Sequence, residues 1–575
     1  MARRWEIRKT DAAAARSLCQ KLNVSPLLCN LLVGRGLETA EAARRFLSPS
    51  LQDLHEPGLM RGMDAAVDRL VGALRGREAV AIWGDYDVDG VTSTALLRLF
   101  LQRVGLECAY YIPSRVEEGY GLNEQGIRDL ARAGVRLLLT VDCGSTDHTE
   151  IALARSLGID VVVIDHHQVS DDLPAAVALL NPRQPGCPFP TKDLAAVGVT
   201  FNLVMALRAR LRQSGLFASG EEPNLREYLD LVALGTLADV VPLSDENRVV
   251  THFGLRELTA ARRPGLAALK EVAGLRGGSV TAGQVAYRLA PRINAIGRLG
   301  KADLAVELLA TSSYARALAL ARELDQANSA RQAIEQEIFE EALKMAREEV
   351  ESSAGGALVL AGEGWHVGVV GIVASRLVER FGCPVVMIGL QGEEGRGSAR
   401  GTEDVHLFEA LQGCAELLQA FGGHRAAAGL SLRRDRLEEF RRTFARIIEK
   451  QRAGSENARP LRLDAVVPPG AWSVEAVEEL HQLEPHGPGN PEPIFMGENL
   501  AIKSARLVGR EPPYHLKLLL LDGERTFDAI GFRQGDRLQQ VLERMDVAYR
   551  PEVNAFEGTL GVQLRLVDFR LPGGV

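Results

Sequence analysis

The 575-residue sequence has few aromatic residues, only 5%, and no apolar run near the roughly 20 residues that cross a bilayer. Its seven cysteines form no C-x-x-C pair, which excludes a zinc ribbon and a disulfide framework and indicates reduced thiols. The basic N-terminus is not followed by the apolar segment of a signal peptide. A hydrophobic content of 46% excludes disorder. We therefore expect a soluble, cytoplasmic protein without a membrane segment.

Over the whole chain, basic residues are also fewer than acidic residues. The 67 Lys and Arg residues are outnumbered by 75 Asp and Glu, for a net charge of −8. This average argues against a polyanionic partner, but residues 425–462 carry 11 basic residues against 5 acids, a local charge of +6. Such a run is usually a solvated helix face, and it also fits a strip that follows a nucleic-acid backbone.

Two common catalytic motifs are missing. Lys301 lacks the Ser or Thr that follows a P-loop lysine, and Ala295 stands where that loop has its first glycine. No H-E-x-x-H segment occurs. ATP hydrolysis and zinc-protease chemistry are therefore unsupported.

The pattern of apolar runs predicts several domains, and at about 150 residues per domain the length suggests roughly four. From Ala79 onward, short apolar strands alternate with helices, which predicts a doubly wound parallel sheet. The tail has short alternating strands, which suggest a small β-barrel. We predict an N-terminal helical extension, a parallel-sheet α/β domain, a long connecting helix, a smaller α/β domain and a C-terminal β-barrel, over residues 1–75, 76–310, 311–350, 351–455 and 460–575.

Three carboxylates follow the first apolar strand of the α/β region. Asp85, Asp87 and Asp89 lie within five residues, where a buried strand ends and a helix begins. Such acids repel one another unless they are solvated or neutralised by cations. A calcium loop of the EF-hand type needs Glu at position 96, which is Leu. A metal site and a solvated acidic loop remain as interpretations, and the first is favoured because ligands bind at the carboxyl ends of such strands.

More acids and two histidines end other apolar runs. Asp142 follows one run, Asp165-His166-His167 closes another, and Asp239 ends a third. A single Asp at the end of a strand is more often a helix cap. Several acids and histidines at the ends of strands of one sheet would lie along the same edge, which indicates a functional site. Carboxylates with imidazole suit Mn²⁺ or Mg²⁺ and disfavour structural zinc.

These motifs resemble those of a known superfamily. Asp85-x-Asp87-Val88-Asp89-Gly90, Asp165-His166-His167 and the Asp239 segment resemble the DHH phosphoesterases, and Gly422–Gly429 resembles the signature of their companion DHHA1 domain. Residues 290–298 and 485–493 are similar to the nuclease branch, the second to its OB-fold domain. The resemblance runs from about residue 30 to 570 in the right order. It implies a DHH domain, a DHHA1 domain and an OB-fold barrel, in a single-stranded-DNA-specific 5′→3′ exonuclease of DNA repair and recombination that releases 5′-mononucleotides.

The resemblance also implies roles for the strand-end residues. Two Mn²⁺ or Mg²⁺ ions would clamp one scissile phosphate and activate a water molecule. The residues implied as metal ligands are Asp85, Asp87, Asp142, His166 and Asp239. His167 would contact the phosphate, and Asp89 and Asp165 would orient ligands or cap a turn.

Further residues are implied to bind DNA. Arg292 and Arg298 flank Asn294 in what we expect to be a loop, where guanidinium groups suit phosphate. Arg115, Ser398 and Arg400 resemble residues that hold the 5′ phosphate. The remaining implied contacts are Gly422, Gly423 and His424, which we expect at the opening of a helix. Tyr120 either stacks on a base or packs on the core as a turn aromatic.

Two other functions stay open. One is a DHH phosphodiesterase acting on short oligonucleotides, cyclic dinucleotides or polyphosphate, although the predicted barrel argues for long strands. The other is a non-catalytic DNA-binding scaffold, which is disfavoured because every implied ligand position holds Asp or His. We expect single-stranded DNA as substrate, a single-strand-binding protein and a repair helicase as partners, and a monomeric enzyme.

Overall fold

The computed structural model describes residues 4–114, 118–217, 222–298, 301–352, 356–453, 460–510, 514–556 and 559–574. Arg115, expected at the 5′ phosphate, lies outside these residues. The chain forms two compact units, Met1–Arg322 with Pro460–Val575, and Glu323–Arg459. Among the helices described, none combines the length and the hydropathy needed to cross a bilayer.

The first unit begins with a short strand and a set of helices. The elements are β1 (Trp5–Ile7), α1 (Ala12–Lys21), α2 (Pro26–Gly34), α3 (Ala40–Leu47) and α4 (Met63–Gly76). Helices α1 to α3 pack beside the C-terminal barrel, and α4 packs against the parallel-sheet region. Helix α2 begins where the Ser25 hydroxyl accepts a hydrogen bond from the Leu28 N–H and Pro26 takes the first helical position. Leu28 and Leu32 share a core with Phe495 of the barrel.

A five-stranded parallel sheet follows. Its strands and helices are β2 (Val80–Trp83), α5 (Val88–Arg103), β3 (Cys108–Tyr111), α6 (Glu124–Arg132), β4 (Leu137–Val141), α7 (His148–Ser156), β5 (Asp160–Ile164) and β6 (Ala178–Leu180). The strand order is β3-β2-β4-β5-β6. Every residue of β2 and β4 is buried, which explains their continuous apolar runs. The predicted doubly wound parallel sheet is confirmed.

The chain connection reverses direction between β2 and β4. Strand β3 lies on one side of β2, and β4, β5 and β6 lie on the other. In open α/β sheets this reversal leaves a crevice outside the carboxyl ends of the strands, where ligands bind. The acidic segments after β2 and β4 therefore lie beside the crevice.

A helical region follows the sheet. The helices are α8 (Ala196–Gln213), α9 (Leu229–Ala238), α10 (Asp245–Ala260), α11 (Pro264–Val272), α12 (Ala282–Gln284), α13 (Ala290–Arg298), α14 (Asp303–Ala310) and α15 (Tyr314–Ser352). Helix α15 is 39 residues long, as expected for a long connecting helix. A π-helical turn, Val285–Leu289, joins α12 to α13.

The second unit contains a smaller mixed sheet. Its elements beyond α15 are β7 (Leu358–Glu363), α16 (Val367–Phe381), β8 (Val385–Gln391), β9 (Glu394–Arg400), α17 (Leu407–Gln412), β10 (Ala420–Gly423), β11 (Ala427–Arg433) and α18 (Leu437–Arg452). The strand order is β10-β11-β9-β8-β7, with only β7 and β8 parallel. This is the smaller α/β domain that the sequence predicts.

The C-terminal part of the first unit is a closed barrel. Its elements are β12 (Leu461–Leu463), β13 (Ala465–Val466), α19 (Val474–Leu480), β14 (Phe495–Val508), β15 (His515–Asp522), β16 (Arg525–Gly531), β17 (Arg544–Phe556) and β18 (Thr559–Arg570). Pairing runs β14-β15-β16-β18-β17 and returns to β14. Leu516, Leu518 and Leu520 alternate into the interior. The predicted β-barrel is confirmed.

Candidate active site

The acidic segments converge at the carboxyl edge of the parallel sheet. Their possible ligand atoms form groups of three that lie within 4.8 Å of one another. Over the described residues, these groups are Asp85/Asp87/Asp142, Asp142/His166/His167 and Asp89/His166/Asp239. Asp239 is placed by a helix rather than a strand, because it caps the C-terminal end of α9.

The loop after β2 is held tightly against the start of α5. Asp87 is the N-cap of α5, and its Oδ1 accepts hydrogen bonds from the N–H groups of Asp89 at 2.9 Å and Gly90 at 3.1 Å. A Cβ atom at Gly90 would lie 2.6 Å from the Asp85 carbonyl oxygen. Glycine is therefore required for the loop to fold back on itself and present Asp85 beside Asp87.

Asp142 lies at the centre of the cluster in a strained backbone conformation. Its φ of 64° is in the left-handed region, which is uncommon for residues other than glycine and clusters at functional sites. The side chain is buried, and its Oδ1 accepts no hydrogen bond from the described residues. Burial and the charges of Asp87, Asp89 and Asp85 raise the pKa of Asp142 well above its ordinary value. A bound cation would relieve this repulsion.

His166 lies between two of these carboxylates. Its Nε2 is 3.3 Å from Asp142 Oδ1, and its Nδ1 is 3.6 Å from Asp239 Oδ2. Burial lowers the pKa of His166, which favours the neutral imidazole that binds metals. Burial and the charge of Asp87 raise the pKa of Asp239 to about 7. This mixed set of carboxylate oxygens and imidazole nitrogens fits Mn²⁺ or Mg²⁺.

Asp165 accepts hydrogen bonds from both histidines. It is buried and accepts hydrogen bonds from the N–H groups of His166 at 2.7 Å and Ser145 at 3.1 Å. It also accepts one from Nδ1 of His167 at 2.8 Å. Burial alone would raise the pKa of Asp165, but the bond from His167 and the neighbouring imidazoles lower it. The carboxylate is thus kept charged and orients both imidazoles.

Asp89 has a structural partner that the sequence did not reveal. Its two carboxylate oxygens accept hydrogen bonds from the N–H groups of Ala196 at 2.6 Å and Val197 at 2.9 Å. These groups begin α8, whose own N-cap residue, Ala195, provides no side-chain bond. Asp89 therefore caps the start of α8 and fixes this helix beside the acidic loop.

Tyr120 is attached to the site through its hydroxyl group. The hydroxyl lies 3.0 Å from the Asp142 carbonyl oxygen and 3.1 Å from His167 Nδ1. The residue is 48% exposed, so its ring is not part of the core. Burial alone would lower the pKa of His167, but Asp165 raises it to about 9. The imidazolium form of His167 suits contact with a phosphate.

The segment with Arg292, Asn294 and Arg298 is a helix, and the expectation of a loop is wrong. All three residues belong to α13, which packs against the acidic loop. Asn294 Oδ1 accepts a hydrogen bond from the Val88 N–H at 3.2 Å. A Cβ at Gly297 would lie 2.3 Å from the Tyr86 carbonyl oxygen, so only glycine allows this approach. Helix α13 thereby places its residues next to the predicted metal ligands.

The second unit holds the remaining predicted contacts. Ser398 and Arg400 lie two residues apart on β9, and Nη1 of Arg400 donates to Ser398 Oγ at 2.7 Å. Gly422 and Gly423 end β10, and exposed His424 begins the turn to β11. The expectation of a helix opening at these glycines is wrong, because the segment is a β-hairpin in which Gly422 pairs with Gly429.

The basic excess of residues 425–462 is partly balanced by acids. In α18, Arg441 pairs with Glu438, and Arg436 pairs with Glu439 just before it. Arg452 lies 2.9 Å from Asp404, outside the segment. The strip as a DNA track stays a prediction.

Sequence reasoning missed a turn at the end of β6. Asn181 is fully buried and donates to the His167 carbonyl oxygen at 2.9 Å. Burial dominates the pKa of both His166 and Asp239; the charge of Arg183, two residues on, adds to the lowering of the His166 pKa and opposes the raising of the Asp239 pKa. The missed signal is the one used for the other segments, a polar residue directly after an apolar strand.

Family comparisons agree with this architecture. The model of the DHH family, N-terminal domain, matches residues 79–236. The DHHA1 domain model matches residues 354–450, and the RecJ OB domain model matches residues 463–568.

Curated relatives match over almost the whole chain. The single-stranded-DNA-specific exonuclease RecJ of Bacillus subtilis (strain 168) is 37% identical over 98% of this chain and 70% of its own length. The protein of the same name from Dickeya dadantii (strain 3937) is 39% identical over 94% of this chain and 95% of its own length.

Solved structures also match over almost the whole chain. RecJ from Thermus thermophilus in complex with Mn²⁺ aligns with a TM-score of 0.85 and 32% identity, over 100% of this chain and 80% of that chain. The Mg²⁺ complex of RecJ from the same organism aligns with a TM-score of 0.79 and 30% identity, over 99% and 79%. With this fold, these domains and this level of identity, the chain belongs to the RecJ family of single-stranded-DNA-specific exonucleases.

Proposed function

We propose that this chain is a metal-dependent exonuclease that degrades single-stranded DNA in the 5′→3′ direction and releases 5′-mononucleotides. The observation that carries the proposal is the convergence of carboxylates and imidazoles at the carboxyl edge of the parallel sheet. Membership of the RecJ family supports the substrate.

We propose Asp85, Asp87, Asp142, His166 and Asp239 as the ligands of two Mn²⁺ or Mg²⁺ ions. When bound, two such ions hold the scissile phosphate, make a water molecule nucleophilic and stabilise the departing oxygen. The raised pKa values of Asp142 and Asp239 support this assignment, because mutually repelling buried carboxylates gain most from a cation. Asp165 keeps the histidines oriented, and Asp89 fixes the loop to α8.

The substrate phosphate needs positive groups beside the metal ligands. His167, whose pKa is raised to about 9, carries a positive charge at neutral pH. Arg292 and Arg298 lie on α13, which packs on the acidic loop through Asn294. We assign these groups to the DNA backbone, and the half-exposed ring of Tyr120 to stacking on a base.

In the second unit, we assign Ser398 and Arg400 to the 5′ phosphate. They share one face of β9 and are already joined by a hydrogen bond, which presents a hydroxyl and a guanidinium together. The exposed β10–β11 hairpin with Gly422, Gly423 and His424 is assigned to the DNA backbone, since glycine allows close approach. Arg115 keeps its predicted role at the 5′ phosphate.

The closed C-terminal barrel favours this function over the alternatives. OB-fold barrels bind oligonucleotides, whereas a phosphodiesterase of cyclic dinucleotides or polyphosphate does not need one. A non-catalytic scaffold does not need a complete acidic cluster. The predicted domain boundaries are retained in this proposal.

The cellular setting follows from the substrate. An enzyme restricted to single strands depends on another protein that separates the duplex, so we propose a repair helicase and a single-strand-binding protein as partners in the cytoplasm. We propose a monomer, because one chain supplies the whole acidic cluster. Light scattering of the purified chain tests this.

Digestion of end-labelled DNA tests the main proposal. A single strand labelled at its 5′ end should release labelled mononucleotide at once with Mn²⁺, and a 3′-labelled strand should release its label last. A blunt duplex should stay intact. Early release of the 3′ label, or duplex degradation at the same rate, would contradict the proposed polarity or specificity.

A further inference from the structure

Asn181 lies at the end of β6, and its side chain makes three hydrogen bonds. The residue is fully buried. Its Nδ2 donates to the His167 carbonyl oxygen at 2.9 Å and to Ser145 Oγ at 3.0 Å, while its Oδ1 accepts from the Arg183 N–H at 2.9 Å. A side-chain amide has two N–H hydrogens, and both are used here. The orientation of this amide is therefore fixed by its partners.

The bond to His167 acts on the proposed metal ligand next to it. His166 precedes His167, and its ring lies 3.3 Å from Asp142 Oδ1 and 3.6 Å from Asp239 Oδ2. Because the two histidines share a peptide bond, displacement of the His167 main chain displaces the His166 ring. Asn181 holds that main chain from the adjacent strand.

The bond to Ser145 acts on the other side of the site. Ser145 follows Asp142 by three residues, and its N–H donates to Asp165 Oδ2 at 3.1 Å. Since Ser145 Oγ accepts from Asn181, its own hydrogen is free to point to Asp165. Asn181 thus links the segments that follow β4, β5 and β6.

We propose that Asn181 is a positioning residue that sets the spacing between the Asp142 and His166 segments for metal binding. This inference rests on the proposed metal site. Partners behind metal ligands typically change metal affinity or activity by about 10–100-fold when they are replaced. Asn181→Asp is the sharpest change, because it keeps the shape of the side chain but puts an acceptor oxygen where Nδ2 donates to His167.

Asn490 offers a matched control in the first unit. It is also buried, and its Nδ2 donates to the carbonyl oxygens of Leu483 at 2.7 Å and Pro485 at 2.9 Å. Its Oδ1 accepts from Arg35 Nε at 3.1 Å. Asn490→Asp therefore removes the same number of donated bonds without touching the histidine segment.

The test is a Mn²⁺ titration of the full chain, followed by the electron paramagnetic resonance signal of free Mn²⁺ and by the midpoint of thermal unfolding. For Asn181→Asp, the half-saturating Mn²⁺ concentration should rise about tenfold or more. At saturating Mn²⁺, kcat should fall while KM for single-stranded DNA stays within about twofold. Asn490→Asp should unfold at a lower temperature with unchanged Mn²⁺ half-saturation.

The outcomes separate this inference from the proposed function. Absence of Mn²⁺ binding to the unsubstituted chain would overturn the metal site and the role of Asn181 with it. If the unsubstituted chain binds Mn²⁺ and Asn181→Asp binds it equally well, the role of Asn181 alone is overturned. The same holds if Asn490→Asp weakens Mn²⁺ binding as much as Asn181→Asp does. If Asn181→Asp does not fold, Asn181→Ser and Ser145→Ala undergo the same comparison, and unchanged Mn²⁺ half-saturation in both would refute the inference.

Discussion

Asp239→Asn should stabilise the metal-free protein at alkaline pH while abolishing catalysis. The Asp239 carboxylate is 23% exposed and lies 3.6 Å from His166. Burial and the charge of Asp87 raise its pKa to about 7. In the metal-free protein, the charged carboxylate of Asp239 therefore destabilises the folded state. An amide of the same shape removes that charge.

The size of the effect follows from the pKa of Asp239. Each unit between the folded and unfolded values is worth about 1.4 kcal/mol, so a change from about 3.9 to about 7 sets an upper limit of about 4 kcal/mol. Because the repulsion is shared with Asp87 and the group is partly exposed, we expect about 1–3 kcal/mol. A raised carboxyl pKa means that stability is lost as pH rises from about 4 to about 7. The gain from Asp239→Asn should therefore be largest at pH 8 and shrink toward pH 5.

Thermal unfolding in a chelator at pH 5, 6, 7 and 8 measures this difference. For a domain of 150–250 residues, the midpoint should rise by about 2–4 °C per kcal/mol. Added Mn²⁺ should stabilise the unsubstituted chain and not the variant, and nucleotide release by Asp239→Asn should be lost. Asp528→Asn in the barrel, half-exposed and 3.1 Å from Lys517, is the control and should show no such pH-dependent gain. A metal-free Asp239→Asn protein that unfolds at the same or a lower temperature than the unsubstituted chain at pH 8 would refute the reasoning.

Substitutions at three other residues test separate parts of the site. Asp142→Ala should lower Mn²⁺-dependent nucleotide release by more than about 100-fold, with strand binding in gel shifts within about threefold, and retained activity would contradict its assignment as a ligand. Gly297→Ala should reduce kcat, because its Cβ would lie 2.3 Å from the Tyr86 carbonyl oxygen. The control Gly72→Ala, on an exposed face of α4, should keep full activity. Equal activity of the two variants would argue against close packing of α13. Tyr120→Phe should lower kcat/KM by about 3–10-fold through loss of the hydrogen bond to the Asp142 carbonyl oxygen, and should leave KM unchanged. Tyr120→Ala should raise KM, because the ring that stacks on a base is removed. Equal KM values for Tyr120→Phe and Tyr120→Ala would exclude stacking.

The pattern of apolar runs along the sequence was sufficient to predict the parallel sheet and the segments that carry the acidic residues. Continuous apolar runs are what strands buried on both faces require; Asp142 directly follows such a run, and Asp85 follows another after one glycine. The loop expected around Arg292, Asn294 and Arg298 is instead helix α13. Pro291 lies just after the π-helical turn Val285–Leu289, inside a continuous helical stretch, and Gly297 is needed for packing on Tyr86 rather than for a turn. At Gly422, pairing with Gly429 makes a hairpin where we expected a helix to open.

The sequence by itself determined which residue types end each strand, and with them the mixed carboxylate and imidazole chemistry of the site. Only the tertiary structure decided which of these residues meet. Asp89 caps α8 across more than a hundred residues, and Asn181 connects to His167 because β6 pairs with β5. The altered pKa values of Asp142 and Asp239 likewise arise from burial and from neighbours on other segments. Periodicity and strand ends are local properties of a chain, whereas distances and desolvation depend on strand order and packing.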